Sequence, residues 1–314
     1  MITINDVPLL NYHNFPGGEV RVQLDFNAIG VYQERNKSYT DFCIKAKIKS
    51  SDDLIALIHT IEILYTMYGE EIAIEVSMNY LPYARQDRIC NSGEINGLKW
   101  ILRLLDSMGV RKLTITDVHN PNGYEPSDYS MYIENISVSD ILLKNIALIG
   151  NYNYIVSPDE GSRSKIYSII SRANKIFKTD ESNPQVVKMM KELYQLEPIN
   201  FIKDRDPQTG KINCIDICQF DREILLKDIN TQNKKFLVVD DICDGGGTFI
   251  PISKKLNSEF GVKNIDLFVT HGIFSKGVWE LLDHYDNIIT TDSFFEENCE
   301  MTKEFAGRIK VIKL

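Results

Sequence analysis

The sequence predicts an α/β fold with two domains, each built on a mainly parallel β-sheet flanked by helices. Short apolar strands alternate with helical stretches along the chain, which is the order typical of β-α-β units. A length of 314 residues suffices for two domains of ordinary size. We place the boundary after the apolar stretch ISVSDILL, so that the predicted domains cover residues 1–143 and 144–314.

Four elements are clear in the first half. They are a helix at 51–68, a strand at 71–78, a helix at 95–108 and a strand at 112–118. Apolar residues recur at helical spacing through the first helix, and Ser51 is its expected N-cap. The second helix is expected to end before Gly109, because glycine readily adopts the left-handed conformation found at helix C-termini.

The second half repeats this alternation. Its predicted elements are a strand at 154–157, helices at 163–172 and 186–196, strands at 200–203, 211–217 and 236–241, a helix at 248–260 and a strand at 266–270. The turn DPQTG, residues 206–210, has proline and glycine where a tight turn requires them. The strand at 236–241 is strongly apolar, as expected of a buried strand.

Composition excludes several classes of protein. A formal net charge of −9 disfavours non-specific binding to nucleic acids or acidic membranes. No run of about 18 apolar residues occurs, so we expect no membrane span. The first residues lack a basic segment followed by an apolar one, so we expect no secretory signal. Six cysteines without a C-x-x-C pair are typical of reduced thiols, which predicts a cytoplasmic protein.

The segment VVDDICDGGGT, residues 238–248, carries the clearest functional signal. An apolar strand delivers Asp240 and Asp241 at its carboxyl end, and a glycine-rich loop then leads into a helix. Glycines allow several backbone N–H groups to converge on one anion, and a helix N-terminus favours the same anion. Carboxylates suit a vicinal diol or Mg²⁺. A phosphate at one end and a diol at the other describe a ribose 5-phosphate.

The segment YARQDR, residues 83–88, is the second signal. It follows a predicted strand and places two arginines and a glutamine on an exposed loop. Arginine binds phosphate through two parallel hydrogen bonds, so this loop suits a polyphosphate. Two surface arginines paired with Asp87 are a physically reasonable alternative interpretation of these residues.

Taken together, the segments resemble the ribose-phosphate pyrophosphokinases, also called phosphoribosyl-diphosphate synthetases. The segments that carry the resemblance, in order, are FPGGEV at 15–20, YARQDR at 83–88, SGEIN at 92–96, TDVH at 116–119, SPDEGS at 157–162, KDR at 203–205 and DDICDGGGT at 240–248. They extend over nearly the whole chain. The type I phosphoribosyltransferases share only the last segment, so YARQDR with TDVH disfavours that alternative.

The resemblance implies a fold of two tandem type I phosphoribosyltransferase-like domains and a specific reaction. In this family the β,γ-diphosphoryl group of ATP passes to the anomeric 1-hydroxyl of ribose 5-phosphate, which leaves AMP. By the same resemblance, Lys203 and Arg205 are the catalytic residues that clamp the transferring group. His119 and Asp159 would hold Mg²⁺, although histidine is an unusual ligand for this ion.

The resemblance also assigns residues to the two substrates. Residues expected to bind ATP are Phe15, Glu19, Arg85, Gln86, Asp87 and Arg88. Residues expected to bind the ribose phosphate are Asp240, Asp241, Asp244, Gly245, Gly246, Gly247 and Thr248. In the family a neighbouring subunit lends its F-x-D-G-E segment to the adenine pocket. The resemblance therefore implies a homodimer or a larger homo-oligomer.

The sequence departs from the family pattern at three informative positions. Gly17 stands where the F-x-D-G-E segment has its acid, and Ser162 stands where SPDEGS is expected to have glycine. Gly245 replaces a threonine or serine whose hydroxyl would bind the 5-phosphate. The roomier loop raises an alternative, in which the acceptor carries a further group on its 5-phosphate, as ADP-ribose does.

A catalytically silent, regulatory relative that binds nucleotides is an alternative from a different class. A silent paralogue has no need of the residues that the family uses for chemistry. The retention of Lys203, Arg205, His119 and Asp159 therefore favours an active enzyme.

Overall fold

The computed structural model describes residues 1–145, 152–179, 196–205, 212–228, 230–296, 305 and 307–314. They form two compact units, Met1–Ile136 and Ser137–Leu314. No helix among these residues is long and apolar enough to cross a membrane.

The first unit is a six-stranded sheet with helices. Its strands are β1 Ile2–Ile4, β2 Val7–Pro8, β3 Asn11–Asn14, β4 Val20–Gln23, β5 Asp41–Ala46, β6 Ala73–Met78, β7 Val110–Thr116 and β8 Tyr132–Ile136, and its α-helices are α1 Phe26–Asn36, α2 Ser51–Tyr68 and α3 Gly97–Ser107. The sheet order is β2-β1-β5-β6-β7-β8, while β3 and β4 form a separate hairpin. Strands β5 to β8 are parallel, and β1 pairs antiparallel with both of its neighbours.

The second unit is built on a seven-stranded sheet. Its strands are β9 Tyr154–Ser157, β10 Glu197–Arg205, β11 Ile212–Ile217, β12 Lys235–Cys243, β13 Asn264–Gly272, β14 Asn287–Thr291 and β15 Ile309–Ile312, and its α-helices are α4 Val138–Lys144, α5 Glu160–Thr179, α6 Gln219–Lys227, α7 Phe249–Phe260 and α8 Trp279–Leu282. The order is β11-β10-β9-β12-β13-β14-β15, and only β11 runs antiparallel to its neighbour. The predicted fold of mainly parallel sheets with helices is confirmed.

Local sequence signals explain where the helices begin and end. Ser50, and not the predicted Ser51, caps α2, because its hydroxyl accepts from the N–H of Asp53 at 3.1 Å while that carboxylate accepts from the Ser50 N–H at 3.0 Å. The helix α3 ends at Ser107, and Gly109 adopts a left-handed φ of 75°, as predicted.

The predicted elements of the first half are all present, with ends that differ by two residues or fewer. Those of the second half that lie within the described residues are present, and several are longer; the helix predicted at 163–172, for example, extends over Glu160–Thr179. Residues 186–195 of a predicted helix and the predicted turn at 206–210 lie outside the described part of the chain.

The two units divide at 136/137, whereas the predicted boundary is 143/144. The helix α4 accounts for the difference, because it belongs to the second unit. Arg172 of α5 donates to the Ser139 hydroxyl at 3.3 Å and forms an ion pair with Asp140. Ser137 and Asp140 also form a capping box that starts this helix.

Parallel pairing brings the candidate residues of the second unit to one edge of its sheet. Strands β9, β10, β12 and β13 run in the same direction, and their carboxyl ends therefore meet at that edge. Lys203 lies near the carboxyl end of β10. Asp159 follows β9, and the loop 244–248 follows β12. The same edge carries residues 273–277, which follow β13.

Candidate functional site

The glycine-rich loop 244–248 forms an open turn between β12 and α7. Gly246 has a φ of 77°, a conformation that favours glycine, and its carbonyl accepts from the N–H of Phe249 at 3.0 Å and of Ile250 at 3.1 Å. At Gly247, no atom lies within 4 Å of the place where a Cβ would stand. The loop therefore leads directly into the N-terminus of the 12-residue helix α7, where the helix dipole favours an anion.

Lys203 links this loop to the segment that follows β9. Its ammonium lies 2.6 Å from Asp159 Oδ2 and 3.4 Å from the Thr248 hydroxyl. The Lys203 side chain is only 7% exposed, whereas that of Asp159 is 28% exposed. Three residues predicted from separate motifs thus meet at one place. The Lys203 ammonium lies between the Asp159 carboxylate and the glycine-rich loop.

Asp159 is held in its ionised form. Burial alone would raise its pKa, but the Lys203 ammonium and the Ser162 N–H, which donates to Asp159 Oδ1 at 3.1 Å, together lower the pKa of Asp159 below its ordinary value. In such an ion pair, an incoming phosphate can replace the carboxylate as the partner of the ammonium. A cation can likewise replace the ammonium as the partner of the carboxylate.

Ser162, which replaces an expected glycine, is built into the Asp159 loop. Its side chain is 2% exposed, and its hydroxyl lies 2.8 Å from the Ser157 hydroxyl and 3.1 Å from the Asp159 carbonyl oxygen. Ser157 also donates to that carbonyl oxygen, at 2.6 Å. The extra hydroxyl therefore fixes the loop that presents Asp159.

Replacing Ser162 with alanine is expected to lower the free energy of unfolding by about 1–3 kcal/mol, because it leaves buried polar partners without this hydroxyl. Urea denaturation measures the change. Ser258→Ala is the matched control, since Ser258 is an exposed serine of α7. Equal unfolding midpoints for Ser162→Ala and Ser258→Ala would show that the buried hydroxyl does not stabilise the loop.

Asp240 and Asp241 lie near the carboxyl end of β12 in different environments. Asp241 is 4% exposed, and its Oδ1 lies 3.3 Å from the ammonium of Lys165, which is also buried. Desolvation and the adjacent Asp241 carboxylate raise the pKa of Asp240 well above its ordinary value. Asp241 is therefore a buried carboxylate that is paired with a buried ammonium.

Sequence reasoning missed Lys165. It lies on α5 at helical spacing from the buried residues Ser162 and Ile169. A lysine within a buried helical stripe was the available signal, because lysine is seldom buried unless it is paired. Here the partner is the carboxylate that was predicted to contact the sugar.

In the first unit, the YARQDR loop adjoins the segment that contains His119. Tyr83 has a left-handed φ of 64°, and Asp87 accepts a hydrogen bond from Asn120 Nδ2 at 2.6 Å. Asn96 Nδ2 donates to the Asp87 carbonyl oxygen, also at 2.6 Å. Asp87 thus supports the loop through these two hydrogen bonds.

The other predicted ATP ligands of this loop are exposed, as is His119, the predicted metal ligand. Arg85, Gln86, Arg88 and His119 are exposed. The absence of a side chain at Gly97 leaves room for Gln86, because a Cβ on Gly97 would lie 2.4 Å from Gln86 Oε1. Both arginines of the loop, Arg85 and Arg88, therefore lie at the surface of the first unit.

Phe15 and Glu19 lie in the turn of the β3–β4 hairpin. Phe15 is 47% exposed and contacts His13 edge to face at 5.7 Å. A Cβ on Gly17 would lie 2.6 Å from Glu19 Oε2, so the glycine leaves room for this carboxylate. An exposed aromatic ring beside a carboxylate at a hairpin tip suits contact with a flat heterocycle.

Two hydrogen bonds fix the hairpin to the N-terminus of α2. Asn14 Nδ2 donates to Asp52 Oδ2 at 2.6 Å, and the Tyr12 hydroxyl donates to Asp53 Oδ1 at 3.0 Å. Burial and the Asp53 carboxylate raise the pKa of Tyr12 to about 12. The hydroxyl therefore stays a donor, and it keeps the hairpin tip in position.

The described residues include no group of three or more His, Cys, Asp or Glu side chains that could hold a metal by itself. Mg²⁺ at phosphate sites commonly takes one or two carboxylates and completes its shell with phosphates and water. Asp159 fits such a role, whereas His119 lies in the other unit and offers nitrogen. The side chain of Arg205 lies outside the described residues.

Comparisons with known proteins agree with the motifs. No family model matches the chain. Among curated proteins, ribose-phosphate pyrophosphokinases are similar: that of Mycoplasmopsis pulmonis is 29% identical over 77% of this chain, and that of Pyrococcus abyssi is 27% identical over 66%. These matches span 64% and 60% of the lengths of the two relatives. That of Sulfolobus acidocaldarius is 23% identical over 92% of this chain and 85% of its own length.

A solved structure shares the fold. The crystal structure of phosphoribosylpyrophosphate synthetase from Mycobacterium smegmatis matches with a TM-score of 0.67 and 17% sequence identity. The match covers 98% of this chain and 88% of that protein. It confirms the predicted fold class.

Proposed function

This chain belongs to the ribose-phosphate pyrophosphokinase family, and from this we propose that it transfers the β,γ-diphosphoryl group of ATP to ribose 5-phosphate. The observation that best supports the proposal is the Lys203 ammonium, 2.6 Å from Asp159 and 3.4 Å from Thr248. It places one buried positive charge between the loop suited to a sugar phosphate and a carboxylate suited to a metal–nucleotide complex.

The acceptor would bind along the carboxyl edge of β12. Loop 244–248 would hold the 5-phosphate with its backbone N–H groups, and the Thr248 hydroxyl would add a hydrogen bond. Asp240 and Asp241 would contact the ring hydroxyls.

The transfer itself requires positioning and charge neutralisation more than a strong base. The anomeric oxygen would form its bond to the β-phosphorus as the bond from that phosphorus to the oxygen of AMP breaks, and the hydroxyl proton would pass to solvent. Lys203 would exchange Asp159 for the transferring phosphoryl oxygens. Its charge would then stabilise the transition state in a site of low exposure.

The first unit would bind ATP. Arg85 and Arg88 would contact its phosphates, with Gln86 beside them, and Phe15 would stack on a base next to Glu19. Asp159 would supply a carboxylate oxygen to Mg²⁺. His119, in the first unit, is assigned to the metal by the family resemblance alone. The ion, when bound, would neutralise charge on the transferring phosphates.

The proposal includes a homodimer or larger homo-oligomer in the cytoplasm. It rests on the family habit of sharing the hairpin segment between subunits. The exposed Phe15 and Glu19 at the hairpin tip agree with a role in a neighbouring active site.

ADP-ribose is a second candidate acceptor, and the geometry of the glycine-rich loop favours it. The space at Gly247 is open, whereas the side chain of Lys276 lies beside Gly245. A loop without the expected hydroxyl would accept a diphosphate bridge that a bulkier loop would obstruct.

Acceptor identity is tested by incubating purified protein with ATP and Mg²⁺, supplying ribose 5-phosphate or ADP-ribose, and identifying products by mass. We expect AMP together with an acceptor that has gained one diphosphoryl group. If AMP forms with ADP-ribose but not with ribose 5-phosphate, ADP-ribose is the acceptor. If no AMP forms with either acceptor, the result supports the regulatory alternative.

A further inference from the structure

The turn at residues 273–277 is fixed beside the glycine-rich loop. The N–H groups of Ile273 and Phe274 both donate to the Cys243 carbonyl oxygen, at 2.9 and 3.1 Å. Gly277 closes the turn by donating to the Phe274 carbonyl oxygen at 2.8 Å. Phe274 is 7% exposed and packs edge to face on Phe295. The backbone of the turn is therefore held at a constant distance from the loop.

Lys276 projects from this turn across Gly245. A Cβ on Gly245 would lie 3.2 Å from both Cδ and Cε of Lys276, and 3.4 Å from its Cγ. Contacts of this length are tighter than most side chains allow, so a threonine or serine at 245 would press on the lysine stem. The glycine that removes a hydroxyl from the loop thus makes room for the side chain of a lysine.

The ammonium of Lys276 differs from those of the other two lysines at this edge of the sheet. Lys203 is paired with Asp159, and Lys165 is paired with Asp241. The side chain of Lys276 is exposed, and within the described parts of the chain its ammonium has neither a hydrogen-bond acceptor nor a carboxylate partner. A cation without a partner beside an anion-binding loop suits an anion.

We propose that Lys276 is a specificity-determining residue that binds the phosphoryl end of the acceptor in place of the hydroxyl missing at Gly245. The inference rests on the proposed function and adds a ligand to its acceptor site. A flexible ammonium forms a stronger, charge-assisted bond than a hydroxyl, and it follows an anion over a wider range of positions. Lys276 therefore suits a ribose whose 5-phosphate is free or part of a diphosphate ester.

Direct binding tests this role without relying on turnover. Titration calorimetry with ribose 5-phosphate should show a roughly tenfold higher Kd for Lys276→Ala than for the unmodified protein. Lys276→Arg should restore most of the affinity, because it keeps the charge. Lys263→Ala is the matched control: Lys263 is exposed but precedes β13, at the opposite end of that strand.

The salt dependence and the kinetics supply second readouts. The Kd of the unmodified protein should rise more steeply with salt than that of Lys276→Ala, since one ionic contact is lost. In turnover assays, KM for the acceptor should rise while kcat and KM for ATP stay unchanged. Equal affinities for Lys276→Ala and the unmodified protein, or an equal loss in Lys263→Ala, would overturn the assignment.

The design separates this inference from the proposed function. Suppose that the unmodified protein transfers no diphosphoryl group, but Lys276→Ala loses tenfold in affinity for ribose 5-phosphate. The proposed reaction is then refuted, while Lys276 remains a phosphate ligand. Full transferase activity with unchanged acceptor affinity in that variant would keep the reaction and refute the role of Lys276.

Discussion

Replacing Lys203 with alanine is expected to lower kcat by roughly 10²–10³-fold, the size of effect seen when one electrostatic stabiliser of a transition state is removed. The Lys203 ammonium lies against both Asp159 and Thr248, so its loss removes the positive charge from the place where we put the transferring group. ATP binding should persist, because the proposed nucleotide ligands belong to the first unit. Steady-state kinetics and calorimetric titration with ATP measure the two properties.

A matched control makes this prediction specific. Lys254→Ala is the matched control, since it removes an exposed lysine from α7 and should leave kcat unchanged. Turnover by Lys203→Ala equal to that of the control would refute the assigned role.

The same variant should also alter stability at acid pH. Because the folded protein lowers the pKa of Asp159, the ionised carboxylate stabilises the fold above its unfolded-state pKa. That stabilisation disappears as the pH falls through the folded-state pKa. Lys203→Ala should therefore lose less stability on acidification than the unmodified protein, whereas parallel pH profiles would show that the ion pair makes no contribution.

Replacing Lys165 with methionine is expected to lower the free energy of unfolding by about 3–5 kcal/mol, which is the range for removing one partner of a buried ion pair. Asp241 is 4% exposed and would be left buried without the ammonium that lies 3.3 Å away. The variant should also bind ribose 5-phosphate less tightly, because an uncompensated Asp241 favours protonation. Urea denaturation and acceptor titration measure the two effects.

A second variant separates the charge effect from packing. Lys165→Met combined with Asp241→Asn removes both charges, and it should recover much of the lost stability without recovering acceptor affinity. A double variant no more stable than Lys165→Met alone would attribute the loss to the shape of the side chain.

Much of the fold follows from hydrophobic periodicity and from the positions of glycine and serine. Long elements such as α2 and β12 are predictable because each shows its period over several turns or residues. Strands β1 to β4 have two to four residues, too few to display an alternation, and the sequence prediction leaves them out. The spacing of Ser50 and Asp53 carries the correct cap of α2, but the adjacent Ser51 obscures it.

Residues of the candidate site are predictable where they belong to a short motif of polar residues and glycines. Asp159, Lys203 and Thr248 come from three motifs, and their convergence follows from parallel strands that end at one edge of a sheet. Lys165 and Lys276 are not predictable in this way. One lies in a buried helical stripe, and the other lies in a turn whose contact with Gly245 depends on the register of β12 and β13.

The boundary between the units illustrates the same limit. Apolar composition places 137–143 with the preceding residues, whereas the capping box of α4 and its contacts with Arg172 place them with the second unit. Tertiary hydrogen bonds decide such a case, and single-sequence patterns contain them only indirectly.

The central claim is that a diphosphoryl group, and not a single phosphoryl group, moves from ATP to the anomeric oxygen of a ribose 5-phosphoryl acceptor. Phosphorus-31 NMR of a reaction containing ATP, Mg²⁺ and ribose 5-phosphate or ADP-ribose follows every phosphorus atom at once. The account predicts AMP and an anomeric diphosphate ester in equal amounts, with no ADP. Accumulation of ADP, or unchanged ATP with both acceptors, would contradict it.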